Sequence, residues 1–202
     1  MENYICIDGK QIELSEVHLK ALRGLLPLDP VSLSELAPGD CFMVGPHEMV
    51  VLDHISGGTW ALRKNLLADD EEFGSGNNYD GSNVDKICNQ FAEELAGFVG
   101  EDGLLAFDVD LTSDDGLKDY GIIQRRAALL TADQCRRYVE ILDQHKLDEW
   151  RWLATAYSTP RHENDRWVKC VSPSGLILNG NVGYHFCVRP FCIFDSSIFV
   201  SR

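Results

Sequence analysis

The stretch WRWLATAYSTPRHENDRWVKCVSPSGLILNGNVGYHFCVRPFCIF, Trp150–Phe194, decides the fold. Short apolar and β-branched runs occupy Arg166–Val171, Leu176–Asn179, Tyr184–Arg189 and Cys192–Phe194. Turn signals at Pro173-Ser174-Gly175 and Asn179-Gly180-Asn181 separate them. Gly, Pro, Asn and Ser between such runs punctuate strands, not helices. The segment therefore predicts a set of short closing strands. It is also crowded with Trp, Tyr, His, Arg and Asn. Contact surfaces use these residue types, because they combine rigid aromatic area with adaptable hydrogen bonding.

Upstream, the periodicity changes. Val84, Ile87, Cys88, Phe91, Leu95 and Phe98 form one helical stripe, opened by Ser82 with Asp85 as a capping box. Thr131 with Gln134 opens a second helix, with Cys135, Tyr138, Val139 and Leu142 on its inner face and its end near His145. Cys41–Val44, Met49–His54 and Trp60–Arg63 predict an antiparallel meander, punctuated by Gly45-Pro46 and Ser56-Gly57-Gly58. Leu104–Val109 predicts a buried strand. Residues 69–81 and 108–119 are expected as acidic loops. At the start, Ile5 and Ile7, then Asp8-Gly9, then Ile12 and Leu14 predict a hairpin. A helical stretch follows from Ser15 to the stop at Pro27. The order of elements is α+β, not alternating βαβ. Residues 1–30 form a hairpin–helix appendage for docking or homo-oligomerisation, and 38–202 the main domain.

Composition excludes several classes. Asp and Glu number 32 against 18 Lys and Arg, a formal net charge of −14. Nucleic acid needs a basic surface and is excluded as the main partner. No stretch approaches the length of apolar sequence that crosses a bilayer, so membrane insertion is not expected. A basic start followed by an apolar run is absent, which predicts cytoplasmic synthesis without a signal peptide. The seven cysteines are scattered, without C-x-x-C or zinc spacing, and are expected reduced.

No phosphate-loop, dinucleotide, zincin or nucleophile-elbow motif occurs, and no cofactor is expected. Asp108, Asp110, Asp114, Asp115 and Asp119 depart from EF-hand spacing and are expected as a solvated acidic loop. Cys187 and Cys192 have no acid–base partner at a recognisable spacing, which thiolate activation requires. They are expected as buried thiols on adjacent strands. His162 and His185 form no ligand pattern. Arg189 stands in an apolar strand, where burial demands a carboxylate or carbonyl cluster around the guanidinium. It is expected to staple the last strands to the body, with Trp152 and Trp167 as further framework.

Five segments in this order resemble a known type: NNYDGSNVDKICNQF, LAFDVDLTSDDGLKDYG, ALLTADQCRRY, WRWLAT and WVKCVSPSGLILNGNVGYHFCVRPFCIF. They resemble a bacterial and phage domain of unknown function, similar in turn to the C-type-lectin-like fold of formylglycine-generating enzymes and of the variable proteins of diversity-generating retroelements. The resemblance covers residues 38–202 and is strongest at Trp152-Leu153 and Val188-Arg189-Pro190. Tyr79 stands where that family has Trp, Ala154-Thr155 where it has Arg-Ser, and Phe191-Cys192 where it has small or apolar residues.

The resemblance implies two main helices against a twisted antiparallel sheet, presenting variable loops on a rigid frame. It implies a non-enzymatic binding or display protein, virion-associated in its phage members, recognising an unidentified protein or glycan. The expected contact face comprises Tyr157, Ser158, Arg161, His162, Asn164 and Arg166, then Asn179, Asn181, Tyr184 and His185. Two other expectations stand beside it. One is a thiol oxidase using Cys187 or Cys192, as the enzyme relatives imply. The other is a structural assembly component.

Overall fold

The computed structural model describes residues 30–201, together with the backbone of two strands nearer the start. Those strands, β1 (Tyr4–Ile7) and β2 (Lys10–Glu13), pair antiparallel with Ile5 opposite Ile12, so the expected hairpin is present. The helix expected after Ser15 lies outside the described residues.

The remaining elements run β3 (Val31–Ser32), β4 (Cys41–Val44), β5 (His47–Ile55), β6 (Gly58–Arg63), β7 (Ala68–Glu72), α1 (Asn83–Val99), β8 (Leu104–Leu105), β9 (Phe107–Asp110), β10 (Ile122–Arg125) and β11 (Ala127–Leu129). Then come α2 (Ala132–Arg137), α3 (Val139–Gln144), β12 (Arg151–Ala156), β13 (Trp167–Val171), β14 (Ile177–Asn181), β15 (His185–Val188), β16 (Pro190–Asp195) and β17 (Phe199–Val200). The architecture is α+β.

The expected single sheet resolves into two larger ones. The first has the order β11-β16-β6-β5-β4, with β8 also on β16. It contains the meander read from Gly45-Pro46 and Ser56-Gly57-Gly58. The second has the order β14-β13-β12-β15-β7. Its pairings are antiparallel except β12 with β15, which run parallel with Arg151 opposite Cys187. The chain passes from the second sheet to the first at Arg189, between β15 and β16. The stretch expected as one strand over 104–109 is two strands with different partners, since β8 pairs β16 and β9 pairs β10.

Helix α1 buries Val84, Cys88, Phe91 and Leu95 of the expected stripe, while Ile87 is half-buried and Phe98, in the last turn, is 52 % exposed. Ser82 Oγ accepts the Asp85 amide at 3.1 Å. The box expected there is only half formed, because the Asp85 carboxylate turns to the Gly81 amide and to Arg125 instead. The Thr131–Gln134 capping box is complete. The helix it opens breaks at Tyr138 (φ −104, ψ 19), giving α2 and α3 in place of one helix. The break rotates Val139 out of the inner face, and it is 48 % exposed.

Aromatic rings fill the interior. Phe191 packs on Phe107 at 4.7 Å and on Trp60 at 5.7 Å between centroids. Trp152 packs edge-on to Phe73 at 5.4 Å. Such pairs add to the burial of their area.

Candidate functional site

The ten residues expected as one contact face fall into separate groups. Ser158, Arg161 and His162 follow β12 and are held by the acidic loop before β10. Asp115 accepts from Ser158 Oγ at 2.6 Å, from Ser113 Oγ at 2.5 Å and contacts His162 Nδ1 at 2.9 Å. Asp119 accepts from Thr159 Oγ1 at 2.6 Å and pairs with Arg161. Ser158 is buried and presents no surface. The hydroxyl donors Ser113 and Ser158 hold the Asp115 carboxyl well below the usual carboxylate range. Asp114 meanwhile takes Arg136 and the buried ammonium of Lys169. Asp114, Asp115 and Asp119 therefore tether this loop to the chain's own cations and hydroxyls, while Asp108 and Asp110, expected in the loop, belong to strand β9. Among the described residues no group of three or more His, Cys, Asp or Glu is placed to hold a metal ion.

Asn77 anchors the other side of the same segment, and sequence reasoning missed it. It is fully buried. Its Nδ2 donates to Ser158 O and Trp167 O, both at 3.0 Å, and its Oδ1 accepts from Tyr120 at 2.5 Å. A third contact from Nδ2 reaches Asn164 O, while Arg166 Nη1 donates to Ser75 O at 3.1 Å. An Asn in a Gly/Asn-rich stretch carries no sequence mark of burial.

A second group lies at the second sheet. Tyr184 stands edge-on to Trp167 at 6.3 Å and packs on Phe186 at 5.9 Å, and Phe186 stacks on Trp150 at 5.3 Å. Trp167, expected as framework, is 37 % exposed, and Tyr184 is half exposed. Trp150 and Phe186 complete a row of four rings that the sequence reading did not assemble. Asn181 pairs in register with Trp167, and Asn179 is exposed beside it on β14. His185 lies against edge strand β7, its Nδ1 on Asp70 O at 3.0 Å. That contact raises its pKa. Tyr157 stands apart, 5.9 Å from the Lys169 ammonium.

Trp152 is buried, with its indole donating to Glu71 O at 2.8 Å. Arg189 is buried where the two sheets join, and its Nε donates to Arg63 O at 2.8 Å. The expected cluster around it is absent among the described residues: that carbonyl is its one hydrogen-bond partner there, and Nη2 has none. Cys187 and Cys192 are both buried and unpaired. Burial pushes both thiols up, away from the thiolate.

Comparison with protein-family models, with curated proteins and with solved structures gives no match. No described helix is long and apolar enough to cross a membrane.

Proposed function

We propose that this chain is a non-enzymatic binding protein on a C-type-lectin-like frame, and that it recognises a protein surface through the second sheet. The row Trp150–Phe186–Tyr184–Trp167 carries the reading. Exposed aromatics touching one another mark interaction sites more often than scattered ones do. Arg166, Asn179 and Asn181 flank the row, and Trp, Tyr and Arg are the residues enriched where proteins meet. The face is narrower than the sequence suggested, because Ser158, Arg161 and His162 are engaged within the chain.

The oxidase reading gains no support from thiols held in their protonated form by burial. The test is a double substitution, Trp167→Ser with Tyr184→Ser. Both side chains stand at the surface, so the melting temperature should hold within a few degrees. A partner captured from source cells, purified and titrated, should bind the variant at least tenfold more weakly. Equal affinity for both proteins removes the row from the interface. Binding of the wild type to immobilised glycans, with no protein partner, overturns the class of ligand.

A further inference from the structure

A cleft of about 240 Å³ lies between the broken helix and strands β12 to β14. Leu130, Leu142, Val171 and Ile177 line it, and Val139 stands at its rim. Its charged lining is the exposed Arg136, Asp143 and Lys146 and two further guanidiniums, Arg189 and Arg151. These last two are buried, at 6 % and 9 % exposure. Arg151 donates from Nη1 to the carbonyls of Leu147 and Glu149 at 2.8 and 2.7 Å. Arg189 gives one bond, to Arg63 O, and leaves Nη2 without a partner. No carboxylate among the described residues forms an ion pair with either. Asp114 and Asp133 are taken up by Arg136, another lining residue.

That arrangement is unusual for this chain. Acidic residues outnumber basic ones by 32 to 18, yet among the described residues neither buried arginine forms an ion pair: Asp143 lines the cleft at its exposed side, and Glu149 acts on Arg151 only from a distance. A buried cation without a counter-charge is costly, and structural arginines at such depth are normally matched. The two charges also oppose each other: burial lowers the Arg189 pKa to about 9, and the neighbouring charge of Arg151 adds to the effect. A guanidinium is a fork suited to the two oxygens of a carboxylate. The apolar wall beyond it suits a hydrocarbon body, and a mostly apolar cleft with a few convergent polar groups is the ordinary form of a small-molecule site. At roughly 30 Å³ per water the space holds about eight water-sized volumes, enough for a short chain or a single ring.

We propose that this cleft binds a small organic carboxylate with an apolar body. The carboxylate meets Arg189 and Arg151, and the body lies along Leu142, Val171 and Ile177. No residue of the aromatic row lines the cleft, although Trp152, which does, packs on Phe186 at 4.5 Å. Val139 and Trp152 explain themselves in this light: one is an apolar side chain left at the rim by the helix break, the other part of the floor.

The experiment is isothermal titration of the full chain at pH 7 with octanoate, octylamine and inorganic phosphate. Octanoate should saturate one site. Octylamine should not bind, and phosphate should bind at least tenfold more weakly than octanoate. Arg189→Met removes the buried charge while keeping its bulk and should lose octanoate binding at least tenfold. Should that variant fail to fold, Val139→Glu at the exposed rim carries the test, with the same loss expected from repulsion of the carboxylate. Equal binding of octanoate and octylamine overturns the proposal. So does phosphate binding as tightly as octanoate, or unchanged octanoate affinity in the folded variants.

Discussion

At the scale of single residues, Asn77 and Asp115 hold the segment 157–167 from two sides. Asn77 supplies buried donors to Ser158 O and Trp167 O and an acceptor to Tyr120. Asn77→Ala leaves Ser158 O buried without its donor, at ~1–3 kcal/mol, while Trp167 O keeps the Tyr157 amide and Tyr120 is partly exposed. A loss of about 2 kcal/mol is expected in urea unfolding. Asp115 acts through charge. Its carboxyl is held below the ordinary range by Ser113 and Ser158, so the folded state favours the ionised form. Its contribution is then fully present above the unfolded pKa of ~3.9 and fades as pH falls through the lower folded value. The stability difference between wild type and Asp115→Asn should be constant from pH 7 to about 5 and shrink below about 4. A difference that grows with acid contradicts the tether. The carboxylate is largely exposed, so the effect is small and salt-sensitive.

At the scale of elements, Gly180 carries the clearest lesson. Asn179-Gly180-Asn181 has the composition of a turn, yet it runs through strand β14. A Cβ on Gly180 would stand 2.7 Å from the Phe186 ring and 2.9 Å from the Trp152 ring. The glycine marks a close approach of rings, which glycine in a strand also signals. Gly180→Ala should cost about 2 kcal/mol as overpacking and perturb tryptophan emission through Trp152. Unchanged emission and stability would mean that the rings shift freely. The elements legible in the sequence were those with strong local chemistry: the stripe of α1, the Thr131 box, the β4–β6 meander and the Pro173–Gly175 turn. Strand β7 was not legible, because Asp69-Asp70-Glu71-Glu72 spells a solvated loop. It is an edge strand, where charged side chains block further pairing. The helix break at Tyr138 was equally hidden, since Cys135, Val139 and Leu142 keep helical spacing across it. The contact residues were legible by type but not by partner. Arg161 and His162 look alike whether they face solvent or an aspartate of the same chain.

At the scale of the whole molecule, two sheets meet at Arg189, and Cys135, Cys187 and Cys192 lie buried near that join. Among the described residues, Cys88, Cys135, Cys170, Cys187 and Cys192 are buried and unpaired, and Cys41 is partly exposed. Burial raises every one of these thiols, Cys88 to about 12 and Cys135 and Cys170 to about 11. Reactivity follows the thiolate and its access, so five of the six should be silent in the native protein at pH 8. In a Cys6→Ser background, Ellman's reagent should label one thiol slowly, Cys41, and all six only after denaturation. Labelling of the buried group then proceeds through opening of the fold, so its rate should rise with urea as the global unfolding equilibrium does. A rapid second thiol at Cys187 in native buffer would instead mean an accessible sulfur at the end of the second sheet. That result would return redox chemistry to the join between the sheets and count against the proposed binding role.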